Sequence, residues 1–246
     1  MKEACPEKLL NRHYMEMNME KLQSDNIKRF ERKYVLDQNK SWIFRNILSE
    51  KKFSKMHNKR KVMSLYFDTL NFTFFKDNVE GVTNRIKPRI RWYEDIDDNK
   101  IKKLQASLEF KKKKGFVGTK TIYNLGKFKD VDSLLKMVKQ NNFLNKLSVI
   151  IKQNVFPVLI TSYTREYFID HNKKFRSTID TNLNVLSVLN NKIKLPINKE
   201  ILEIKYDLEN DNNFRNNIVN SNFKLRFQKF SKYSVGLLSL KKNGLM

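Results

Sequence analysis

A single cysteine, Cys5, stands in 246 residues, so no intramolecular disulfide framework is possible. Three histidines, His13, His57 and His171, fall at no metal-binding spacing, and with one cysteine they exclude a zinc-finger array. Glycine (6) and proline (4) are scarce, which leaves no obvious linker and favours one domain over two. No apolar run approaches the roughly 18 residues of a membrane span, and the polar start from Met1 to Leu10 carries no secretory pattern. Acidic residues are few as well: 26 Asp and Glu face 50 Lys and Arg, a formal charge of +24 at pH 7. Such an excess calls for a polyanionic partner, whether nucleic acid, an anionic membrane surface or a phosphate-rich small molecule. The expectation is a soluble, cytoplasmic protein that handles anions.

Apolar residues are plentiful enough for a core, at 40% with 18 Phe among them. Met15, Met19 and Leu22 predict a short helix in an N-terminal extension over residues 1–26, punctuated by Ser24-Asp25-Asn26. Residues 27–246 then read as one α+β domain dominated by strands. Strand patterns cover Lys28–Leu36, Arg60–Asp68, Arg85–Tyr93, Gln105–Lys114, Val117–Leu125, Pro157–Asp170, Lys173–Asp180, Leu183–Leu189 and Glu200–Asp207. Helical patterns lie at Ser41–Ser49, Asp130–Lys139, Phe214–Val219 and Ser231–Leu240.

The strands are unusual in the charge of their polar face. Lys87, Arg89, Arg91 and Tyr93 share one side of a strand, opposite Ile90 and Trp92. Arg29, Glu31 and Lys33 align on another, as do Glu109, Lys111 and Lys113, and Glu203, Lys205 and Asp207. Arg165 lies with Tyr163 and Tyr167, and Arg176 with Thr178 and Asp180. Two geometries accommodate this pattern. An open sheet would show its cations to a nucleic acid; a closed barrel would turn them into a lumen, with helices covering the apolar outside. Carboxylates recurring beside the cations favour the closed antiparallel barrel, because a nucleic-acid surface gains nothing from them and a phosphate site using a divalent metal needs a few.

In order along the chain, Phe30-Glu31-Arg32-Lys33-Tyr34, Ser64-Leu65-Tyr66-Phe67-Asp68-Thr69, Arg89-Ile90-Arg91-Trp92-Tyr93 and Leu108-Glu109-Phe110-Lys111 resemble the catalytic domain of vacuolar transporter chaperone (VTC) proteins. Tyr163-Thr164-Arg165, Arg176-Ser177-Thr178-Ile179-Asp180, Leu202-Glu203-Ile204-Lys205-Tyr206 and Lys229-Phe230-Ser231-Lys232-Tyr233 continue the resemblance to the C-terminus. That family belongs to the triphosphate tunnel metalloenzymes, closed antiparallel barrels with a cationic lumen. The resemblance implies synthesis of inorganic polyphosphate from the γ-phosphate of ATP with a divalent ion, Mn2+ or Mg2+. It implies phosphate-gripping roles for Lys33, Arg89, Arg91, Lys111, Arg165, Arg176, Lys229 and Lys232, and a metal-binding role for Glu203.

Beside these, Arg29, Lys87, Tyr93, Lys113 and Lys205 are candidate substrate-binding residues from their strand faces, and Glu31 and Glu109 are further candidate metal ligands. Hydrolytic members open with two alternating glutamates and a lysine; Arg29 stands at the first glutamate's place, which fits the polymerase branch better. Alternatives are a hydrolase of inorganic, nucleoside or RNA 5′-triphosphate and a non-catalytic binder of polyphosphate or nucleic acid. The family's inositol-phosphate-sensing domain and membrane helices have no counterpart in these residues. Lys229 and Lys232, three apart, are expected on one helix face, and Asp68 and Asp180 read as turn or strand-end residues.

Overall fold

The computed structural model describes residues 21–25, 29–95, 103–114, 117–188, 193–218 and 225–245. Its strands are β1 (Lys21–Asp25), β2 (Arg29–Asp37), β3 (Phe53–Asp68), β4 (Asn84–Asp95), β5 (Leu104–Lys114), β6 (Val117–Phe128), β7 (Phe156–Asp170), β8 (Arg176–Ser187), β9 (Lys194–Pro196) and β10 (Lys199–Asp207). Helices α1 (Ser41–Glu50), α2 (Thr73–Glu80), α3 (Val131–Val138), α4 (Asn141–Ile151) and α5 (Lys232–Lys242) punctuate them, with short helical turns between Leu208 and Ile218. All named strands join one antiparallel sheet in the order β1-β6-β5-β4-β3-β7-β8-β10-β2, with β9 added beside β8.

The expected antiparallel sheet with helices outside it is present, but its closure into a barrel is not confirmed. Among the described residues no ladder joins β2 to β6 or β1, so the sheet is not closed by hydrogen bonds. The outer edge of β2 meets the segment leading into α5 instead: Tyr34 bridges Phe227, and the Gln228 amide donates to the Lys33 carbonyl at 2.9 Å. Occupied in this way, that edge has fewer free groups to offer another strand. The predicted N-terminal helix lies outside the described residues except at its end, where Lys21–Asp25 is a strand paired with β6.

Alternation divides the sheet into two faces. On one, α3 and α4 cover Leu65, Phe67, Ile90, Trp92, Leu108 and Phe110 through Leu134, Met137, Val138, Phe143 and Leu147. Asp130 starts α3 with a capping box: its carboxylate accepts the Ser133 amide at 2.8 Å, and the Ser133 hydroxyl accepts the Asp130 amide at 3.2 Å. Farther round, Phe44 and Leu48 of α1 pack with Phe175, Ile179, Leu202, Ile204 and Tyr206. On the other face α5 lies against the sheet: Tyr233, Leu237 and Leu240 join Val62, Tyr66, Leu159, Tyr163, Val185 and Ile201. Gly236 makes this approach possible, since a Cβ there would sit 3.1 Å from Val185 Cγ2. The charged strand residues occupy the remainder of the face that α5 covers. No helix among the described residues is long and apolar enough to cross a membrane.

Candidate functional site

Register fixes which charges meet. Arg89 stands opposite Glu109 on β4 and β5, Lys87 opposite Lys111, and Arg91 opposite Ser64 on β3. Arg165 stands opposite Asp180 on β7 and β8, and Glu203 of β10 lies between Lys33 of β2 and Thr178 of β8. Directly opposed residues share a face, so ladder pairing alone assembles this polar surface.

Three ion-paired groups result. In the first, the buried Glu109 carboxylate takes Arg89 Nη2 at 2.7 Å, Arg89 Nε at 2.8 Å and Lys120 Nζ at 2.7 Å, with Arg91 Nη1 at 3.9 Å. Arg91 also donates to Ser64 Oγ at 3.1 Å and to the Tyr163 hydroxyl at 3.3 Å; Arg89 donates to the Tyr66 hydroxyl at 3.4 Å. In the second, fully buried Asp180 accepts a two-pronged contact from Arg165, 2.6 and 2.7 Å, and Lys232 Nζ at 2.5 Å. Lys232 sits 4.4 Å above the Tyr163 ring, which ties this group to the first. In the third, Lys33 contacts Glu31 at 2.8 Å and Glu203 at 3.5 Å, Lys205 contacts Glu203 at 2.7 Å, and Lys111 reaches from β5 to Glu31 at 2.7 Å. That last contact links strands that are not neighbours in the sheet order, so side chains draw opposite walls together where the ladder does not.

The fields follow this arrangement. Burial alone would raise the Glu109 pKa, but Arg89, Arg91 and Lys120 overcome it and hold the carboxyl well below its ordinary range. Asp180 is held low against its burial by Arg165 and Lys232. Glu31 and Glu203 also resist burial and are held low, Glu31 chiefly by Lys111 and Lys33; for Glu203 the neighbouring Glu31 opposes what Lys205 and Lys33 achieve. Lys87 has no such compensation. Burial, then repulsion from Lys111, Lys33, Arg85 and Arg89, pushes it down to about 6, and its amine donates to the Ser231 hydroxyl at 3.1 Å. Lys120 is pushed down to about 8, mainly by burial.

These residues suit a hard divalent cation on one side only. Glu31 and Glu203 both contact the Lys33 amine, and the Thr178 hydroxyl, directly opposite Glu203, is buried with no hydrogen-bond partner among the described residues. Carboxylate and hydroxyl oxygens are the donor set that Mg2+ or Mn2+ takes. Among the described residues no group of three or more His, Cys, Asp or Glu converges, so bound phosphate and water would complete the shell. All three carboxylates meet cations, but Glu109 is held by two arginines and Lys120, the geometry of an internal counter-ion, whereas the ion-pair partners of Glu31 and Glu203 are lysines.

Lys33, Arg89, Arg91, Lys111, Arg165, Lys232, Lys87, Lys205, Glu31 and Glu203 are therefore brought to one face. Arg29 is at the rim beside Asp207, 3.2 Å away, and Arg176, Lys229 and Tyr93 are exposed. Lys113 lies near enough to Arg85 and Lys229 to be pushed down by them after its partial burial. The expected shared helix face of Lys229 and Lys232 is corrected: Ser231 is the N-cap of α5, so Lys229 precedes the helix. Asp180 is corrected too, since it lies inside β8 as a buried counter-ion, whereas Asp68 does close a turn, accepting the Thr69, Phe74 and Phe75 amides. Sequence reasoning missed Lys120, whose meeting with Glu109 depends on the β5–β6 register, and Thr178 as more than a neighbour of Arg176.

A family model described as the VTC domain matches residues 13–241. Among solved structures, PH1819 from Pyrococcus horikoshii OT3 is similar at 15% identity and a TM-score of 0.48, covering 86% of this chain and 99% of its own. A candidate adenylate cyclase from Vibrio parahaemolyticus aligns at 12% identity and TM-score 0.49, over 87% and 99% of the two chains. HpAC1 from Hippeastrum, described by a dominant triphosphatase activity, aligns at 11% and 0.41, over 88% and 97%. No curated protein sequence matches at a significant level.

Proposed function

Because the chain belongs to the VTC-domain family, whose model spans residues 13–241, we propose that it is a polyphosphate polymerase that transfers the γ-phosphate of ATP to a growing inorganic chain. The observation that supports this most is a cation-rich sheet face that also holds two carboxylates sharing Lys33, Glu31 and Glu203, with the Thr178 hydroxyl opposite Glu203 and unpartnered among the described residues. A surface built only to hold polyanions has no use for that oxygen cluster.

In this reading Arg89, Arg91 and Arg165 supply guanidinium forks to phosphate oxygens, and Lys33, Lys111 and Lys232 supply point charges. Glu109 and Asp180 fix those side chains in place before substrate arrives, so little reorganisation remains for the reaction. Glu31, Glu203 and Thr178 would hold Mn2+ or Mg2+, which neutralises charge on the phosphoryl group being moved. A terminal oxygen of the chain attacks the γ-phosphorus, the bond between that phosphorus and the β,γ-bridging oxygen breaks, and ADP leaves. Positioning and charge carry most of such a reaction, which is why no nucleophilic side chain is required.

The test is to incubate pure protein with ATP and Mn2+ and to follow ADP together with acid-labile phosphate polymer. The expected result is both products in step. Inorganic phosphate without polymer would replace this reading with hydrolysis, and no turnover at all would leave a binding protein.

A further inference from the structure

Along β4 the charged face changes character from end to end. At one end Lys87 and Arg85 oppose Lys111 and Lys113, and the start of α5 stands close by, its Ser231 hydroxyl accepting from Lys87 at 3.1 Å. In the other direction Tyr93 follows Arg89 and Arg91 on the same face, opposite Val62 of β3. Same-face positions along a strand are ~6.7 Å apart, so Tyr93 stands ~6.7 Å beyond Arg91 and ~13 Å beyond Arg89 at the backbone.

Tyr93 is 43% exposed and makes no hydrogen bond or ring contact among the described residues. The other strongly exposed aromatic side chains do not share a strand with the arginines: Trp42 is on α1, Phe156 begins β7, and Phe227 lies under Arg32. A second tyrosine stands at the same end of the face. Tyr167 of β7 lies on the side of Arg165, half-buried, with its ring at 73° to His57 and the centroids 5.6 Å apart. Burial pushes its phenol up to about 12 against the pull of Arg165, and Tyr93 is near enough to add to that rise. Tyr167 therefore offers a neutral ring beside Tyr93 at pH 7.

Resting on the reading that Arg89 and Arg91 hold a triphosphate, we propose that Tyr93 is the stacking platform for the base of the nucleotide substrate. The triphosphate lies at the arginine forks, the ribose spans the step to Tyr93, and the base rests on its open ring with Tyr167 at the flank. An inorganic chain has no use for such a ring, since a phosphate unit has no face to stack. A nucleobase has one whatever its identity, so the platform favours nucleoside triphosphates over inorganic triphosphate without choosing among bases.

The test titrates ATP, GTP and tripolyphosphate, all in chelator, on the parent protein and on Tyr93→Ala, Tyr93→Phe and Trp42→Ala. The expected result is a roughly tenfold loss of ATP affinity in Tyr93→Ala, matched by GTP. Tyr93→Phe keeps the ring and stays at the parental value, and Trp42→Ala, which removes an exposed ring elsewhere, changes nothing. Tripolyphosphate affinity stays parental in Tyr93→Ala, which also shows that this variant is folded. Equal loss for nucleotide and tripolyphosphate, equal loss in Tyr93→Phe or Trp42→Ala, or no loss at all would each overturn the platform. A 5′-triphosphorylated oligoribonucleotide that binds more tightly than ATP and loses more in Tyr93→Ala would overturn the assignment to a free nucleotide. Failure of tripolyphosphate to bind the parent protein while ATP binds instead overturns the underlying phosphate-site reading.

Discussion

Glu109 and Glu203 are both deeply buried on the same face of the sheet, yet their neighbours give them different tasks. Glu109 is surrounded by Arg89, Arg91 and Lys120, so Glu109→Gln leaves three cations without their counter-charge. Breaking a buried pair costs on the order of 3 kcal/mol, and tripolyphosphate should restore much of it by replacing the lost charge. Denaturant unfolding with and without tripolyphosphate measures both parts; a variant as stable as the parent contradicts the assignment. Glu203→Gln keeps shape and removes one anionic oxygen of the pair with Glu31. Turnover with ATP and Mn2+ should collapse while tripolyphosphate binding in chelator survives or tightens. Polymer formation at the parental rate would move the metal role to Glu31.

Lys87 adds a pH dependence at this scale. Its folded pKa of about 6 lies below the ordinary 10.5, first through burial and then through Lys111, Lys33, Arg85 and Arg89. Between these values the unfolded chain carries a proton that the folded chain lacks, so the contribution of Lys87 to stability rises with pH across that window. Below about 6 the amine is charged in both states and its repulsion is felt in full. A bound polyanion favours the charged amine, so tripolyphosphate binding near pH 7 should take up a proton. Calorimetry in buffers of differing ionisation enthalpy should detect this uptake and find it largely lost in Lys87→Met. Lys120, at about 8, is already mostly protonated at that pH. Uptake unchanged in Lys87→Met would contradict the account.

Among the elements, α5 couples packing to the site. Gly236 lets the helix approach β8, Tyr233 stacks on Tyr66 at 5.2 Å, and Lys232 at its first turn reaches Asp180. Gly236→Val should overpack this contact by about 1–3 kcal/mol, and Val185→Ala in the same chain should recover part of that. Chemical unfolding of the single and double variants checks it; independent, additive effects would mean that the helix does not depend on this contact. Strand alternation made most of the sheet legible from the sequence, including the shared face of Lys87, Arg89 and Arg91. Closure was not legible, because alternation reports which face a residue occupies and not which edge its strand meets. The Tyr34–Phe227 bridge depends on a contact between distant parts of the chain. For the same reason α5 was visible as a helix, but its seat on the charged face was not. Helix α2 escaped notice because it is eight residues long with Phe74 as its buried residue, and α4, though eleven residues long, because its fully buried residues are only Phe143 and Leu147, a sparse apolar stripe.

For the whole molecule, the central claim is that a sheet bearing mutually repelling cations is completed by phosphate. Cross-strand partners of like sign recur, Lys87 with Lys111, Arg85 with Lys113 and Arg176 with Lys205. Carboxylates such as Glu31, Glu109, Asp180 and Glu203 balance only part of that charge. A ligand that binds the folded state alone stabilises it by about 2.7 kcal/mol at a hundredfold excess over its dissociation constant. For a chain of this size that is a rise of about 5–10 °C in melting temperature. The most direct measurement is therefore the melting temperature in tripolyphosphate beside sodium chloride of equal ionic strength, both in chelator. The account predicts a rise of that order in tripolyphosphate and little change in chloride. Equal shifts in the two salts would contradict it.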